Sequence, residues 1–450
     1  MTEQMNVPML RFGEYAGDWH TTTVGQLVKD GILFKPLDGN HGNIHPKASD
    51  YVESGIPFLM ASDIQHGQAD LEGCKFISKE LADSLQKGFA CEGDVLLTHK
   101  GTVGETTILQ GINTPYVMLT PQVTYYRVKN SEKLDNVFLQ KLFTSESFRK
   151  DLFVKADSGT RPYIGILGQL TLNLTLPEID EQQKIASFLS KFDEKIALLT
   201  AKKNKLTEYK KGVMQRLFNG KWGKQDGQLT FIPPTLRFKA DDGSEFPDWK
   251  EKKFGDCFDF FTTNSLSRDK LSYDMGMIKN IHYGDIHTKF RSIFKPEQEL
   301  VPYIAELDDT KKIKPQSYCQ NGDLVFADAS EDYADIGKCI EVRELGNLKL
   351  VAGLHTHLAR PKEKFATGYQ AYLQKSWKMR YQIMRIAQGT KVLGISTKQL
   401  ATIYLPVPCY EEQEKIAAFL TSLDSKIECL EFELNKSKEW KKGLLQQMFV

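Results

Sequence analysis

Residues 181–218 read EQQKIASFLSKFDEKIALLTAKKNKLTEYKKGVMQRLF, and residues 412–449 repeat this stretch as EQEKIAAFLTSLDSKIECLEFELNKSKEWKKGLLQQMF. The two copies align without a gap, and 19 of the 38 aligned positions are identical. An internal repeat on this scale predicts a molecule that is built from two related units.

Apolar residues recur in both copies with an alternating four–three spacing, which is typical of a coiled-coil helix and holds over about five heptads. A pair of unrelated amphipathic surface helices is the alternative, but the shared register and length favour paired helices. Polar residues interrupt the seam at Lys203, Lys210, Ser437 and Lys441. The seam comprises Ile185, Leu189, Phe192, Ile196, Leu199, Leu206, Val213 and Leu217 in the first copy, and Ile416, Leu420, Leu423, Ile427, Leu430, Leu434, Leu444 and Met448 in the second.

The repeat extends beyond the helices. Leu10-Arg11-Phe12 matches Leu236-Arg237-Phe238, and Asp18-Trp19 matches Asp248-Trp249. The stretch GDVLLTHKGTVGETTIL (residues 93–109) predicts two strands around a glycine turn, and residues 321–342 repeat its opening. We therefore predict an α+β protein with two similar mixed α/β domains, each followed by a long helix. The predicted boundaries are 1–176 for the first domain, 177–219 for the first helix, 220–235 for a linker, 236–405 for the second domain and 406–450 for the second helix.

The connector between the units limits how the helices can pair. A helix of 38 residues is about 57 Å long, whereas the 17 residues from Asn219 to Thr235 span at most about 60 Å when fully extended. A parallel pair would stretch the connector to its limit, and an antiparallel pair would leave it relaxed. We predict an intramolecular antiparallel coiled coil with a domain at each end and pseudo-two-fold symmetry.

Composition narrows the class of protein. The 450 residues suit two or three domains. No apolar run reaches the roughly 18 residues of a membrane span, and the N-terminus lacks a signal-peptide pattern, so we expect a cytoplasmic protein. The net charge is +1, and residues 1–176 carry 20 acidic against 16 basic side chains. Because neither the whole chain nor its first domain is strongly basic, a surface that binds a polyanion such as DNA would have to be a local patch of basic residues.

Catalytic motifs are lacking. The sequence contains no phosphate-binding G-x-x-x-x-G-K-[ST] loop, no G-x-G-x-x-G motif and no Asn-Pro-Pro-aromatic methylase motif. The pairs His355/His357 and His41/His45 lack an evident third metal ligand, and the seven cysteines are scattered. These features predict a non-catalytic binding protein without a metal site. Two readers on a rigid spacer would suit a split target on duplex DNA.

The whole chain resembles the specificity subunit of type I restriction–modification enzymes. The resemblance is carried by the paired segments at Pro177–Ile196 and Pro408–Ile427, by the K-K-G-x-x-Q-x-x-F tails at Lys210–Phe218 and Lys441–Phe449, and by the L-R-F…D-W openings. It implies that each domain recognises one half of a bipartite, asymmetric site in double-stranded DNA. It also implies that the helices set the spacing and dock two methyltransferase subunits, with restriction/translocase subunits completing the complex. S-adenosylmethionine, ATP and magnesium are then expected in those partners, with no cofactor in this chain.

Candidate contact residues follow from these expectations. Loops of mixed polar, basic and glycine character predict DNA contacts at Thr98, His99, Lys100, Thr102, Thr160, Arg161, Tyr163, Lys338, Arg380, Thr390 and Lys391. Residues that are identical in both helices but lie off the seam predict partner docking at Lys184, Phe188, Lys195, Lys211, Gln215, Lys415, Phe419, Lys426, Lys442 and Gln446. Phe188 and Phe419 could instead pack on their own domains. Two alternative functions stay open: a coiled-coil scaffold with two protein-binding heads, and the recognition chain of a system whose nuclease and methylase are fused.

Overall fold

The structure is a computed structural model, and it describes residues 6–450 apart from 66, 157–161, 226–227 and 275. The chain forms two compact units, residues 1–200 with 432–450, and residues 201–431. We call them the first and second units. Within the described residues, no helix is both long enough and apolar enough to cross a membrane.

The strands and helices alternate irregularly along both units. Through the first domain and first long helix, the strands are β1 (His20–Thr23), β2 (Leu37–Asp38), β3 (Tyr51–Val52), β4 (Ile56–Leu59), β5 (Ile64–Gln65), β6 (Gln68–Ala69), β7 (Lys75–Ile77), β8 (Phe89–Ala90), β9 (Val95–Lys100), β10 (Thr102–Ile108), β11 (Val117–Leu119), β12 (Val123–Tyr126) and β13 (Asn173–Leu176). The helices there are α1 (Val24–Lys29), α2 (Lys79–Ser84), α3 (Asn136–Thr144), α4 (Glu146–Lys155), α5 (Ile166–Gln169) and α6 (Ile179–Leu217).

The remainder of the chain follows a similar order. Its strands are β14 (Lys221–Gln225), β15 (Gln228–Ile232), β16 (Lys250–Lys253), β17 (Phe258–Phe261), β18 (Leu271–Ser272), β19 (Lys279–Ile281), β20 (Ile293–Phe294), β21 (Tyr303–Ile304), β22 (Leu324–Ala327), β23 (Ala329–Ser330), β24 (Cys339–Val342), β25 (Leu350–Ala352), β26 (Thr356–Pro361), β27 (Leu393–Gly394) and β28 (Tyr404–Val407). Its helices are α7 (Phe254–Cys257), α8 (Tyr283–Thr288), α9 (Leu307–Thr310), α10 (Tyr369–Lys375), α11 (Trp377–Ile386), α12 (Thr397–Leu400) and α13 (Tyr410–Met448).

The two domains contain related sheets that differ in strand number. In the first, one sheet has the order β10-β9-β12-β2 and another the order β3-β7-β4-β11-β8. The second domain has the sheets β17-β26-β22-β24-β20 and β18-β21-β19-β25. Each domain contains a parallel pair, β4 with β11 and β19 with β25, and a central antiparallel pair, β9 with β12 and β22 with β26. The predicted α+β fold with two similar domains is confirmed.

Two features add detail to the predicted fold. Each domain contains two consecutive helices, α3 with α4 and α10 with α11, because Ser145 and Ser376 separate them in extended conformation and cap the second helix with their side chains. The predicted linker contains a two-stranded antiparallel sheet, in which β14 pairs with β15.

Each unit contains an antiparallel pair of helix segments. In the first unit, Asp193 of α6 accepts a salt bridge from Lys441 of α13, and Ile185 shares a core with Met448. In the second unit, Lys203 contacts Glu431 at 2.6 Å, and Lys210 pairs with Asp424. In both units, the residue numbers decrease along α13 as they increase along α6, so the two helices pair in antiparallel orientation. Coiled-coil knobs-into-holes packing and the pseudo-two-fold axis remain predictions.

The ion pairs explain why an aspartate and a lysine recur in both repeats. Asp193 receives Lys441 and also Lys141 of α3, whose ammonium lies at 2.5 Å. Burial alone would raise the pKa of this carboxyl group, but the two lysine hydrogen bonds outweigh it and lower the pKa below its usual value. In the second unit, Asp424 accepts hydrogen bonds from Lys210 and from the hydroxyl of Tyr372. The same aspartate thus joins helix to helix and helix to domain.

The start of each long helix is fastened to its own domain by the repeated Glu-Gln pair. In the first unit, the guanidinium of Arg11 donates to both carboxylate oxygens of Glu181 at 2.7 Å. In the second unit, the guanidinium of Arg237 likewise donates to both carboxylate oxygens of Glu412, at 3.1 and 2.8 Å. Glu181 and Glu412 are 2% and 0% exposed. We call each set of contacts at a helix start the clamp.

The glutamine beside each glutamate completes the clamp. Gln182 accepts a hydrogen bond from the backbone N–H of Asp135 and donates to the carbonyl of Pro177. Gln413 accepts from the N–H of Ala366 and donates to the carbonyl of Pro408. Both glutamines therefore satisfy backbone groups on the domain side of the helix start.

We expect Arg237→Met to destabilise the protein by about 3 kcal/mol, because it leaves the buried carboxylate of Glu412 without its guanidinium. Urea unfolding of the purified chain measures the change. Lys239→Met is the matched control, because its partner Glu245 is exposed, and we expect its midpoint to stay at the wild-type value. Equal midpoints for both variants would contradict the clamp.

Candidate functional site

In the first domain, the structure brings together two loops that the sequence predicts as DNA contacts. The backbone N–H of Gly101, in the turn between β9 and β10, donates to the carbonyl of Pro162 at 3.1 Å. Lys100 forms a β-bridge with Tyr163, and its ammonium lies 5.8 Å from the centre of that ring. Lys100, Thr102 and Tyr163 are exposed. The result is a basic and aromatic surface on the tip of a rigid strand pair.

The second domain joins the equivalent loops. Strand β23 follows β22 and pairs with β27, and the N–H of Ile395 donates to the carbonyl of Asp328 at 3.0 Å. In the first domain, the N–H of Ile164 makes the matching bond to the carbonyl of His99 at 3.1 Å. Thr390 and Lys391 lie in the loop before β27 and are exposed.

A repeated ion pair holds the central strands of each domain in one register. Arg127 binds both carboxylate oxygens of Asp94 at 2.8 and 2.7 Å. Arg360 binds both oxygens of Asp323 at 2.9 and 2.8 Å. Both aspartates are almost fully buried. The two domains can therefore be compared residue by residue along these strands.

The second domain carries a basic and aromatic cluster that sequence reasoning missed. Arg268 and Lys289 both pair with the buried carboxylate of Asp285, and both contact the hydroxyl of Tyr273. Burial would raise the pKa of Asp285, but the hydrogen bonds from Arg268 and Lys289 outweigh it and lower the pKa. The basic side chains are 42% and 48% exposed, which leaves them able to contact an anionic ligand. Arg268 and Lys289 are 21 residues apart in the sequence, and no recognisable motif connects them.

Histidines extend this cluster. His282 accepts hydrogen bonds at Nδ1 from the N–H of Gly284 and from Arg268. Burial, followed by the charge of Arg268, lowers the pKa of His282, in agreement with an accepting ring nitrogen. The adjacent Tyr283 ring lies 5.3 Å from the ring of His355 in an edge-on arrangement.

Several predicted DNA contacts have internal roles instead. Thr98 and His99 are 0% exposed, which argues against direct contact with DNA. The hydroxyl of Thr98 accepts from the N–H of Glu105, and Nδ1 of His99 contacts the carbonyl of Ile164 at 3.0 Å. Both lie on β9, which is buried on both faces up to its last residue, Lys100.

Two predicted contacts in the second domain support a loop. Arg380 donates to the carbonyls of Ala334 and Ile336, and Lys338 donates to the carbonyl of His287 and pairs with Asp335. These bonds occupy both side chains within the domain. Thr160 and Arg161 lie outside the described residues.

The predicted docking residues divide into two groups. Four of them contact their own domain: Phe188 packs on Phe12, Phe419 packs on Phe238, Lys184 pairs with Glu14 and Lys415 pairs with Asp241. A fifth, Gln446 of α13, belongs to the same group because it donates to Glu146 of the first domain. The other five are exposed on the helices: Lys195, Lys211, Gln215, Lys426 and Lys442. The alternative that the two phenylalanines pack on their own domains is the one the structure shows.

Among the described residues, no group of three or more His, Cys, Asp or Glu side chains is arranged to hold a metal ion. Asp328 contacts His355 at 3.2 Å, but Nε2 of His357 lies 3.9 Å from Asp328 and contacts the carbonyl of Ile395 at 2.8 Å instead. The two domains thus present polar, basic and aromatic surfaces on strand ends, as in a nucleic-acid-binding protein.

Comparison with known proteins assigns the family. The type I restriction modification DNA specificity domain matches residues 21–208 and 247–437. A type I restriction enzyme MjaVIII specificity subunit of Methanocaldococcus jannaschii is 25% identical, over 96% of this chain and 92% of the relative. A putative MjaX specificity subunit of the same organism is 21% identical, over 100% and 96%.

Solved structures show the same fold. The S subunit of a type I restriction–modification system from M. genitalium superposes with a TM-score of 0.57 at 14% identity, covering 99% of both chains. A chain from a study of type I system assembly and conformational transition gives 0.53 at 14% identity, covering 96% of this chain and 97% of that one. The chain belongs to the type I restriction–modification specificity family, and its role is DNA recognition.

We expect Arg268→Ala to weaken DNA binding by the assembled complex similarly for all sequences and to reduce the salt dependence by about one phosphate contact. Lys391→Ala tests the loop before β27 in the same way. Lys312→Ala is the control, because this lysine is exposed on the same domain outside both clusters. Unchanged salt slopes in both test variants would remove these residues from the interface.

Proposed function

We propose that each domain of this specificity subunit recognises one half of a bipartite, asymmetric DNA site. The observation that supports this proposal is that the two domains share the same register of their central strands but expose different residues. Lys100 in the first domain corresponds in strand register to Ala329 in the second, whereas the Arg268 cluster belongs to the second domain. Two different surfaces on one frame suit two different half-sites.

We further propose that the chain performs no chemistry itself. Two methyltransferase subunits using S-adenosylmethionine would modify the DNA, and restriction/translocase subunits using ATP and magnesium would act on unmodified sites. The family membership supports this division of labour, and the complex would work in the cytoplasm. The helices would set the spacing and dock the methyltransferases.

The exposed faces of the helices offer a specific docking surface. Tyr209 on α6 and Trp440 on α13 occupy equivalent positions of the repeat and are 55% and 71% exposed. Three residues later, on the same face of each helix, stand Gly212 and Gly443. A Cβ added at either glycine would meet nothing within 4 Å in the part of the chain that the structure describes.

These glycines each cost the helix about 1 kcal/mol relative to alanine, and packing among the described residues does not require them. An aromatic side chain beside a glycine suits close approach of a partner helix, with the ring as anchor. The repeat presents this pair twice, so it suits two copies of one partner.

Co-expression of the chain with its methyltransferase subunit tests the function. We expect methylated adenines at a single bipartite, asymmetric sequence, mapped by long-read sequencing of host DNA. Deletion of this chain is the control and should abolish that methylation. Methylation at the same sequence without the chain would contradict the assignment, and would favour a scaffold without a role in recognition.

Alanine variants test the docking surface. We expect Tyr209→Ala and Trp440→Ala each to weaken the binding of one methyltransferase copy by about tenfold or more, and the double variant to weaken both. Native mass spectrometry counts the bound copies. Tyr381→Ala, an exposed aromatic on α11, is the matched control and should retain two. Full occupancy in the double variant would place docking elsewhere.

A further inference from the structure

The strand registers of the two domains define one equivalent point. In the first domain, β9 and β12 pair from Val95 with Tyr126 to Thr98 with Val123. In the second, β22 and β26 pair from Leu324 with Ala359 to Ala327 with Thr356. The next residues along each ladder are therefore equivalent: His99 with Gln122 in the first domain, and Asp328 with His355 in the second.

Backbone hydrogen bonds confirm this equivalence independently. The N–H of His99 donates to the carbonyl of Gln122 at 2.9 Å, and the N–H of Asp328 donates to the carbonyl of His355 at 3.1 Å. The side chains of Gln122 and His355 are both exposed. The frame thus projects one polar side chain from the same point of each domain, and the two side chains differ.

We propose that Gln122 and His355 are the equivalent base-reading residues of the two domains, and that their difference helps to make the two half-sites different. This inference rests on the proposed function, because it assigns a role within split-site recognition. It concerns which side chains discriminate bases, whereas neighbouring cations grip the DNA backbone.

His355 is held in a defined orientation. Its backbone has φ of +55°, a left-handed conformation that is uncommon for residues other than glycine and that persists where the surrounding structure enforces it. Its Nδ1 contacts a carboxylate oxygen of Asp328 at 3.2 Å. The ring is half exposed and rests edge-on against Tyr283. Fixing a side chain in this way lowers the entropy lost when it binds a ligand.

The contact with Asp328 also fixes the chemistry of the ring. A carboxylate only accepts, so Nδ1 carries the proton and donates. In the neutral ring, Nε2 is then an acceptor. An acceptor in the major groove matches the exocyclic amino group of cytosine or adenine.

Gln122 would recognise a base differently. Its side-chain amide offers one acceptor and two donors, and glutamine can form a paired contact with N6 and N7 of adenine. The chain neighbours that approach this point differ as well. His99, which pairs with Gln122, corresponds to Asp328 in the second domain, and Tyr283, which contacts His355, corresponds in strand register to Ala61 in the first.

Both positions adjoin the cationic surfaces described above. Lys100 follows His99 directly in the chain and pairs with Tyr163. In the second domain, the backbone carbonyl of Asp328 accepts from the N–H of Ile395, which lies just after the Lys391 loop. Phosphate-gripping and base-reading groups would then stand side by side in each domain, as recognition of a duplex requires.

The test uses the full complex with methyltransferase subunits, in the variants Gln122→Ala and His355→Gly. Glycine is the suitable replacement at position 355 because it adopts positive φ without strain. Binding is measured to the wild-type site and to every single-base change within both half-sites. Gln68→Ala and Gln298→Ala, at exposed positions of the two domains, are the controls.

We expect Gln122→Ala to lower discrimination about tenfold at one base pair of one half-site, with the other half-site unaffected. His355→Gly should do the same in the other half-site only. Asp328→Asn should also weaken discrimination at the His355 position, because it removes the carboxylate that orients the ring. The controls should discriminate as the wild type does.

Two results would overturn the inference while leaving the proposed function intact: unchanged discrimination at all positions, or a uniform loss of affinity for all sequences in both variants. A wild-type complex that prefers no bipartite sequence would instead refute the proposed function. Thermal unfolding of each variant shows whether a loss reflects unfolding, and Gln122→Glu provides a second variant of similar size if Gln122→Ala fails to fold.

Discussion

The buried clamp at the start of each long helix is the constraint on which the rest of each unit depends. A carboxylate that is removed from water is tolerated only where a fixed cation and hydrogen bonds replace its hydration. Arg11 and Arg237 supply that cation from the start of each domain, and the neighbouring glutamines bind backbone groups of the domain. Each long helix therefore begins at a fixed angle to its own domain. The domain that recognises DNA is thus rigidly attached to the helix that sets its spacing.

A rigid frame lets the exposed residues vary. The ion pairs Asp94–Arg127 and Asp323–Arg360 keep the central strands in one register in both domains, and the loops at the strand ends meet in the same way. Substitutions on those loops change the surface without changing the core, because they alter few buried contacts. One frame can thus present a lysine and tyrosine in one domain and an arginine, histidine and tyrosine cluster in the other.

Much of this architecture could be predicted from the repeat and the connector. The helix bounds, the two similar domains and the antiparallel direction follow from periodicity and chain length, which are local or one-dimensional properties. The site residues were harder to predict. Thr98 and His99 have the composition of a DNA-contacting loop, yet they lie on a strand that is buried up to Lys100. Phe188 and Phe419 recur beside the seam because each packs on its own domain, which repetition alone could not distinguish from docking on a partner.

The sequence by itself determined the repeated units, the long helices and the family. Only the tertiary structure decided which repeated polar residues are internal and which polar residues share a surface. Arg268, Asp285 and His355 are separated along the chain. In the folded domain, Arg268 pairs with Asp285, and His355 packs against the segment that carries Asp285. Periodicity reports which face of an element is apolar, but the meeting of side chains from different loops depends on strand register and on long-range pairing, which no local pattern encodes.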